Sequence, residues 1–151
     1  MPTARGTRRS AASSGIQVLF VAGFGPVVKN PTESRALYAD ALQLPFHESA
    51  DEYLHTEELP GTKAFGLWPL SQAADSCFGT KEWPADIPVP QAWLEFDVSD
   101  VGRATGELVC RGYRVLVSNR KEPWGQTVTR LLSPEGLLVG ITCTPWMRPK
   151  K

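Results

Sequence analysis

The order of predicted elements repeats once along the chain, and this repeat restricts the possible folds more than any other feature. Aligning Val28-Lys29-Asn30 on Val98-Ser99-Asp100 superimposes two halves, with an offset of 70 residues from position 28 to position 98. In each half an apolar strand precedes a helix and three further strands. The pattern predicts two modules of the form βαβββ.

The first half contains clear helix signals. Residues 16–25 form an apolar run suited to a strand inside a sheet. Asn30 fits a helix N-cap, Pro31 the first helical position and Glu33 the third position of a capping box. The buried stripe of this helix is predicted to comprise Leu37, Ala41 and Leu44. Strands are predicted at 46–49, 52–57 and 62–68.

The second half repeats this order. Residues 91–98 are predicted to form a strand, and Asp100 is the N-cap of the next helix. Gly112 fits the residue after the C-terminus of that helix. The apolar stripe of the helix is predicted to comprise Val101, Ala104 and Leu108. Strands are predicted at 113–118, 126–132 and 137–144.

A length of 151 residues suits one ordinary domain with a core large enough to fold without a disulfide or a metal. Residues 1–14 are rich in Ser, Ala, Gly and Arg, and we expect a disordered tail. We expect residues 15–151 to form a single domain, in which module one spans 15–69 and module two 91–147. The connector 70–90 is long for a compact domain, which suggests a function.

Composition excludes several classes of protein. Lys plus Arg and Asp plus Glu both number 16, so no basic surplus favours nucleic acid as a partner. The three cysteines lie far apart without a CxxC or Cys/His spacing, which argues against zinc and for a reduced, cytoplasmic setting. The apolar run 18–28 is broken by glycine and proline and is too short to span a bilayer, so we expect no membrane partner.

A Pro-Trp-Gly corner at residues 123–125 leads into a predicted hairpin strand. Alternation along that strand places Gln126 and Arg130 on one face, close to Trp124. An indole, an amide and a guanidinium gathered in this way are typical of a pocket wall. The alternative is a tryptophan that closes the end of the sheet and a solvated arginine.

Three stretches in this order resemble the vicinal oxygen chelate superfamily, which includes glyoxalase I, extradiol dioxygenases, fosfomycin resistance enzymes and bleomycin resistance proteins. They are VKNPTESRALYADALQLPF, FDVSDVGRATGELVCRGYRV and the closing hairpin EPWGQTVTRLLSPEGLLVGI. The resemblance covers residues 16–146. It implies an α+β fold in which two βαβββ modules form curved mixed sheets around a cleft. It also implies a homodimer, since members commonly pair modules between chains.

Metal-using members of that superfamily hold a divalent ion with His or Gln on the first strand of each half and Glu on the last strand. The motifs place these positions near Gly23, on Trp93 and on Gly140, and none of these residues carries a donor side chain. A hard divalent ion needs several converging oxygen or nitrogen donors. The only histidines are His47 and His55. We therefore expect no metal and no other cofactor.

The space left by the missing ligands is predicted to be a roomy apolar cleft with flat walls. Trp124 and Trp68 would stack on a planar ligand, while Gln126 and Arg130 would orient its polar groups, the arginine through a carboxylate or phosphate. The predicted ligand-binding residues are Trp124, Gln126, Arg130, Trp68, Trp93, Phe65, His55 and Phe24. Ordinary core packing remains the alternative for the phenylalanines and for at least two of the five tryptophans.

Three functions remain open. The first is a non-catalytic binder that sequesters a bulky, partly aromatic natural product or antibiotic, as bleomycin resistance proteins do. The second is a glyoxalase-like isomerase or lyase, or a dioxygenase, with a shifted metal site around His55 and Glu57 or a metal-free acid–base pair that uses His55 or Glu95. The third is a structural or regulatory dimer without a ligand. The missing metal ligands and the many aromatic residues favour the first, so no catalytic residue is assigned.

Overall fold

The computed structural model describes residues 15–48 and 52–149, where the chain forms one mixed sheet of eight strands in the order β2-β3-β4-β1-β5-β8-β7-β6. The predicted tail 1–14 lies outside the described residues. The strands are β1 Val18–Val28, β2 His47–Glu48, β3 Leu54–Thr56, β4 Phe65–Pro69, β5 Ala92–Val98, β6 Val115–Lys121, β7 Thr127–Leu132 and β8 Leu138–Cys143. This curved mixed sheet with its helices confirms the predicted α+β class.

The helices follow the predicted order, with one addition. Helix α1 spans Pro31–Arg35 and continues as a π-helix over Ala36–Ala41, while α3 spans Val101–Cys110. A further helix, α2, occupies Leu70–Phe78 inside the predicted connector. A short 3₁₀ turn covers Pro145–Met147. None of the helices in the described ranges has the length and apolar content needed to cross a bilayer.

The two halves meet through their first strands. β1 pairs antiparallel with β5, and Gly23 lies opposite Glu95 while Gly25 lies opposite Trp93. Each first strand also pairs in parallel with the last strand of its own half, β1 with β4 and β5 with β8. The strand pairing therefore reproduces the internal repeat. It brings every second side chain of both first strands to one face of the sheet. This face, called here the inner face, carries Trp93 and Glu95.

Both predicted N-caps are confirmed. The Asn30 Oδ1 accepts from the Glu33 amide at 3.2 Å, and the Asp100 Oδ1 accepts from the Arg103 amide at 3.0 Å. Each side-chain oxygen thus satisfies one of the free amide groups of the first helical turn.

The predicted buried stripe of the first helix is wrong. Leu37 is 51% exposed, Ala41 is also exposed, and Leu44 is only partly buried. The cause is the π-helix, in which the Leu42 amide bonds the Leu37 carbonyl five residues back, so that each turn holds more residues and positions seven apart, such as Leu37 and Leu44, no longer share a face. Tyr38 packs on the sheet there together with Leu44.

Three groups of buried residues form the core. One group lies between the inner face and α2 and includes Trp68, Cys77 and Trp93. A second lies under α3 on the outer face, around Val98, and the third lies beneath the first helix, around Phe65. Because α2 covers the inner face and the other helices cover the outer one, any space on the inner face lies between the sheet and α2.

The connector gave no helix signal because its prolines indicate loops and its buried stripe consists of small side chains. The fully buried residues on α2 are Ala73 and Ala74, together with Cys77 at 5% exposure. Gly79 ends the helix at φ +73°, a left-handed conformation that glycine adopts without strain. The connector thus contains a helix that packs on the inner face of the sheet.

Candidate functional site

A cavity of about 400 Å³ lies on the inner face, within the range of small-molecule sites. The structure brings most of the predicted binding residues together here, although they come from four strands and a turn. Those that line the cavity are Trp124, Gln126, Arg130, Trp68, Trp93 and His55.

The floor of the cavity is a buried ion pair. The Arg130 Nη1 donates to the Glu95 Oε2 at 2.8 Å, and the Gln126 Nε2 donates to the Glu95 Oε1 at 2.7 Å. The Arg130 side chain is 1% exposed and that of Glu95 11%. Both oxygens of Glu95 are therefore held, and its carboxylate edge meets the cavity beneath the aromatic walls.

Arg130 has further partners. Its Nε donates to the Ser76 hydroxyl of α2 at 3.1 Å, and its Cζ lies 4.5 Å from the centre of the Trp68 ring. The sequence suggested that this guanidinium binds a carboxylate or phosphate of the ligand. Its contacts favour another role, because the charge is offset by Glu95 and two of its nitrogens already donate inside the protein.

The Pro-Trp-Gly corner forms as its residues predict. The Gly125 amide bonds the Glu122 carbonyl at 3.0 Å across the turn, and Gly125 has φ +96°. The Trp124 Nε1 donates to the Gln126 Oε1 at 2.9 Å, while the Gln126 Nε2 also reaches the Thr142 hydroxyl at 2.8 Å. This chain of bonds holds an indole that is 56% exposed at the edge of the cavity.

Trp93 occupies space that two glycines leave open. Its Nε1 donates to the Gly66 carbonyl at 3.0 Å, and its ring meets that of Trp68 edge-on at 6.2 Å. A Cβ on Gly23 would lie 3.0 Å from the Trp93 ring, and one on Gly25 would lie 1.9 Å from the Gly66 carbonyl oxygen. Residues larger than glycine would therefore displace the indole or the neighbouring strand.

The positions that hold a metal in related proteins do not suit one here. A Cβ on Gly140 would lie 2.8 Å from the Glu95 Cγ and 3.3 Å from the Arg130 Nη1, so the ion pair fills the space in front of that strand. In the described part of the chain, no group of three His, Cys, Asp or Glu side chains could hold a metal ion. A buried guanidinium would also repel a divalent cation. The residues present therefore do not fit the metal that the superfamily uses.

The two histidines differ in position. His55 lines the cavity and stacks on Tyr53 at 5.0 Å. His47 lies beside it in the strand register, but its Nε2 faces the Glu58 carboxylate at 3.5 Å on the exposed side. Glu57, the suggested partner of His55, also lines the cavity.

Phe24 and Phe65 lie outside the cavity. Phe65 alternates with Trp68 and Gly66 along β4 and therefore faces the outer side, where it packs beneath the first helix. Phe24 is its register partner and contacts it edge-on at 5.4 Å. The sequence located both on the correct strands, but a Cβ on Gly23 or Gly25 would face Trp93 on the inner side, so strand alternation turns Phe24 outward.

The C-terminal segment was not predicted to form part of the site. Trp146 and Met147 line the cavity because Asp97, which is fully buried, anchors the segment that carries them. The Asp97 carboxylate accepts from the Thr144 amide at 2.7 Å and from the Arg148 Nη2 at 2.6 Å. The available signal was the alternation of Trp93, Glu95 and Asp97 along one strand, which places all three on the inner face.

The sequence profile of the Glyoxalase/Bleomycin resistance protein/Dioxygenase superfamily matches residues 24–141. The chain belongs to this superfamily. The match includes six strands in full and parts of β1 and β8, and it confirms the resemblance drawn from the three sequence stretches. No curated protein sequence matches the chain significantly.

Several solved structures share the fold at low sequence identity. A superfamily member from Vibrio splendidus 12B01 is 15% identical with a TM-score of 0.53, covering 85% of this chain and 99% of its own. Methylmalonyl-CoA epimerase from Streptomyces coelicolor is 15% identical with a TM-score of 0.51 over 85% and 99%. A Legionella pneumophila protein described as an NAD-dependent benzaldehyde dehydrogenase is 17% identical with a TM-score of 0.55 over 80% and 96%. Such distant likeness concerns the fold alone.

Proposed function

We propose that the protein is a metal-independent small-molecule-binding protein of the glyoxalase/bleomycin resistance type. It sequesters a bulky, partly aromatic natural product or antibiotic in the inner-face cavity. The observation that carries this proposal is the replacement of a metal site by the ion pair of Glu95 and Arg130, beneath a cavity walled by indoles. Such a site offers flat apolar surface and few polar groups, as ligand pockets do.

In this proposal the predicted site residues have different roles. Trp124 stacks on the ligand with its exposed ring, and Trp68, Trp93 and His55 form the deeper walls. Gln126 orients the Trp124 indole through its amide oxygen. Arg130 positions Glu95, while Phe24 and Phe65 support the strands from the outer face.

Tryptophan fluorescence tests binding directly, with a panel of aromatic antibiotics as probes and unchanged recovery of the probe as a second readout. We expect the spectrum to change on saturation and the Trp124→Ala variant to bind at least tenfold more weakly, equivalent to about 1.4 kcal/mol. Trp83→Phe is the matched control, because the Trp83 indole packs on Phe78 and bonds the Ile87 carbonyl outside the cavity. Conversion of a bound compound into a product would contradict sequestration.

One observation favours a second function, namely a metal-free enzyme that transfers protons. The Glu95 carboxylate faces the cavity and is oriented by Gln126 and Arg130, as a general base requires. A Glu95→Gln substitution separates the two functions. Turnover of a bound compound that is lost in this variant while binding persists would establish the enzyme, whereas a binder shows no turnover in either form.

We also propose that the protein acts as a cytoplasmic homodimer without a nucleic-acid partner. Val18, Val21 and Phe24 are 43–52% exposed on β1, which supports an apolar contact between copies. The balance of 16 basic and 16 acidic residues gives no electrostatic attraction to phosphates. Light scattering at micromolar concentration should give twice the mass of the chain, and a monomer would contradict the dimer.

A further inference from the structure

The charged residues of the cavity leave an excess of negative charge. Glu57, Glu95 and Arg130 line it, so two carboxylates face one guanidinium. Arg130 is 1% exposed and bonded to Glu95, whereas Glu57 is exposed at the edge of the cavity. A ligand that enters therefore meets the Glu57 carboxylate before the guanidinium.

The aromatic walls add to this preference. Tyr53, Trp68, Trp93, Trp124 and Trp146 all line the cavity, and Trp124 and Trp146 are about half exposed. The faces of aromatic rings carry partial negative charge and attract cations, most strongly when several rings surround one site. The protein already uses this attraction internally, because the Arg130 Cζ lies over the Trp68 ring at 4.5 Å.

The indole N–H groups of Trp93 and Trp124 and the amide of Gln126 have partners within the protein. The Trp93 Nε1 donates to the Gly66 carbonyl and the Trp124 Nε1 to the Gln126 side chain. The Gln126 Nε2 donates to both Glu95 and Thr142. An anionic ligand would have to displace these bonds, whereas a cation needs only acceptors and ring faces, which the cavity presents.

We propose that the ligand is an organic cation, with a protonated or alkylated amine attached to a flat aromatic framework. The framework contacts the exposed rings of Trp124 and Trp146, and the positive charge lies towards Glu57 and Glu95. This inference rests on the proposed binding function and specifies the chemical class that the same cavity selects.

Three probes of similar size and shape test the class on the full-length protein by isothermal titration calorimetry. They are 1-methylquinolinium, which is cationic, 1-naphthalenemethanol, which is neutral, and 1-naphthoate, which is anionic. We expect the cation to bind at least tenfold more tightly than the neutral probe, and the anion to bind most weakly. Glu57→Gln, a substitution of an exposed side chain, should weaken the cation about threefold to tenfold and leave the neutral probe unchanged.

The outcomes separate this inference from the function on which it rests. If the neutral or the anionic probe binds as tightly as the cation, and Trp124→Ala weakens that binding, the cation preference is wrong and the cavity still binds ligands. If none of the three binds and the antibiotic panel also leaves the fluorescence unchanged, both proposals fail. A cation preference that survives in Glu57→Gln at full strength would also overturn the role given to this carboxylate.

Discussion

The two halves of the molecule share an order of elements but contribute different chemistry to the cavity. The second half supplies the polar network, with Glu95, Gln126, Arg130 and Thr142 joined by bonds of 2.7–2.8 Å. The first half supplies the Trp68 ring, the side chains of His55 and Glu57, and three glycines of β1 and β4. A repeated topology therefore does not impose a repeated site.

The helices of the two halves also differ, in how many of their residues are buried against the sheet. Helix α3 buries Val101, Ala104 and Thr105, and the Thr105 hydroxyl lies 2.6 Å from that of Thr129 on β7. The first helix buries no residue in either its α or its π segment. The first helix is therefore less firmly packed on the sheet than α3 is.

Breaking the central ion pair should have the largest effect. Arg130→Met leaves Glu95 buried without a counter-ion, which we expect to lower the free energy of unfolding by about 3–5 kcal/mol. Urea denaturation monitored by fluorescence measures the loss. The first half offers a matched control in Arg35→Met, because the pair of Arg35 with Glu48 lies on the exposed surface and should contribute nothing measurable.

A double variant checks the cause of that loss. Glu95→Leu combined with Arg130→Met removes both charges, so most of the lost stability should return. If the double variant is no more stable than Arg130→Met alone, the loss comes from packing around Trp68 and not from the unpaired carboxylate.

Added methyl groups at the glycines should test the close contacts in both halves. Gly140→Ala places a Cβ 2.8 Å from the Glu95 side chain, and we expect a loss of about 1–3 kcal/mol in urea denaturation. Gly25→Ala meets a backbone oxygen, which cannot rotate away, so its loss should be larger. Gly106→Ala is the control, because this exposed helical position is open and the change should stabilise by about 0.5–1 kcal/mol.

The buried Cys77 thiol on α2, the helix between the halves, should make the free energy of unfolding depend on pH. Burial raises the pKa of the Cys77 thiol from its ordinary value of 9.0 to about 11, so the folded protein retains a proton that the unfolded chain has lost. The free energy of unfolding should therefore fall by about 2–3 kcal/mol between pH 9 and pH 11. Urea titrations at several pH values should show this fall reduced in Cys77→Ala but not in Cys110→Ala, which changes an exposed thiol.

The smallest expected effect is the loss of stability when the N-cap side chain of either helix is removed. Asp100→Ala should cost about 1 kcal/mol, because α3 is packed on the sheet and cannot fray without exposing its core residues. Asn30→Ala removes an equivalent bond from a helix that buries nothing, so thermal unfolding should register less than half that cost. Equal costs would contradict the view that the first helix is less firmly packed than α3.

Local signals predicted much of the fold because they act over a few residues. Asn30, Asp100 and the Pro-Trp-Gly corner are capping and turn residues whose hydrogen bonds close within four positions. The first helical stripe failed because the choice between α and π winding depends on packing against the sheet. Helix α2 was missed because small residues such as Ala73 and Ala74 give a weak periodic signal.

The candidate site was predictable in part. Trp124, Gln126 and Arg130 lie within seven positions of the chain, so strand alternation alone placed them together. The bond of Arg130 to Ser76, 54 positions away, depends on how α2 folds back over the sheet. Because of that contact and the salt bridge to Glu95, we propose that Arg130 positions a carboxylate, whereas the sequence had suggested that it binds the ligand.

The sequence by itself determined the two βαβββ modules, the caps and corners that bound their elements, and the lack of donor side chains at the superfamily's metal positions. Only the tertiary structure decided that Glu95 and Arg130 form the cavity floor, that the C-terminal segment anchored by Asp97 supplies a wall, and that Phe24 and Phe65 face outward. The reason is physical. Local conformation follows from side chains a few bonds apart, whereas burial and ion pairing require strands from both halves to lie side by side.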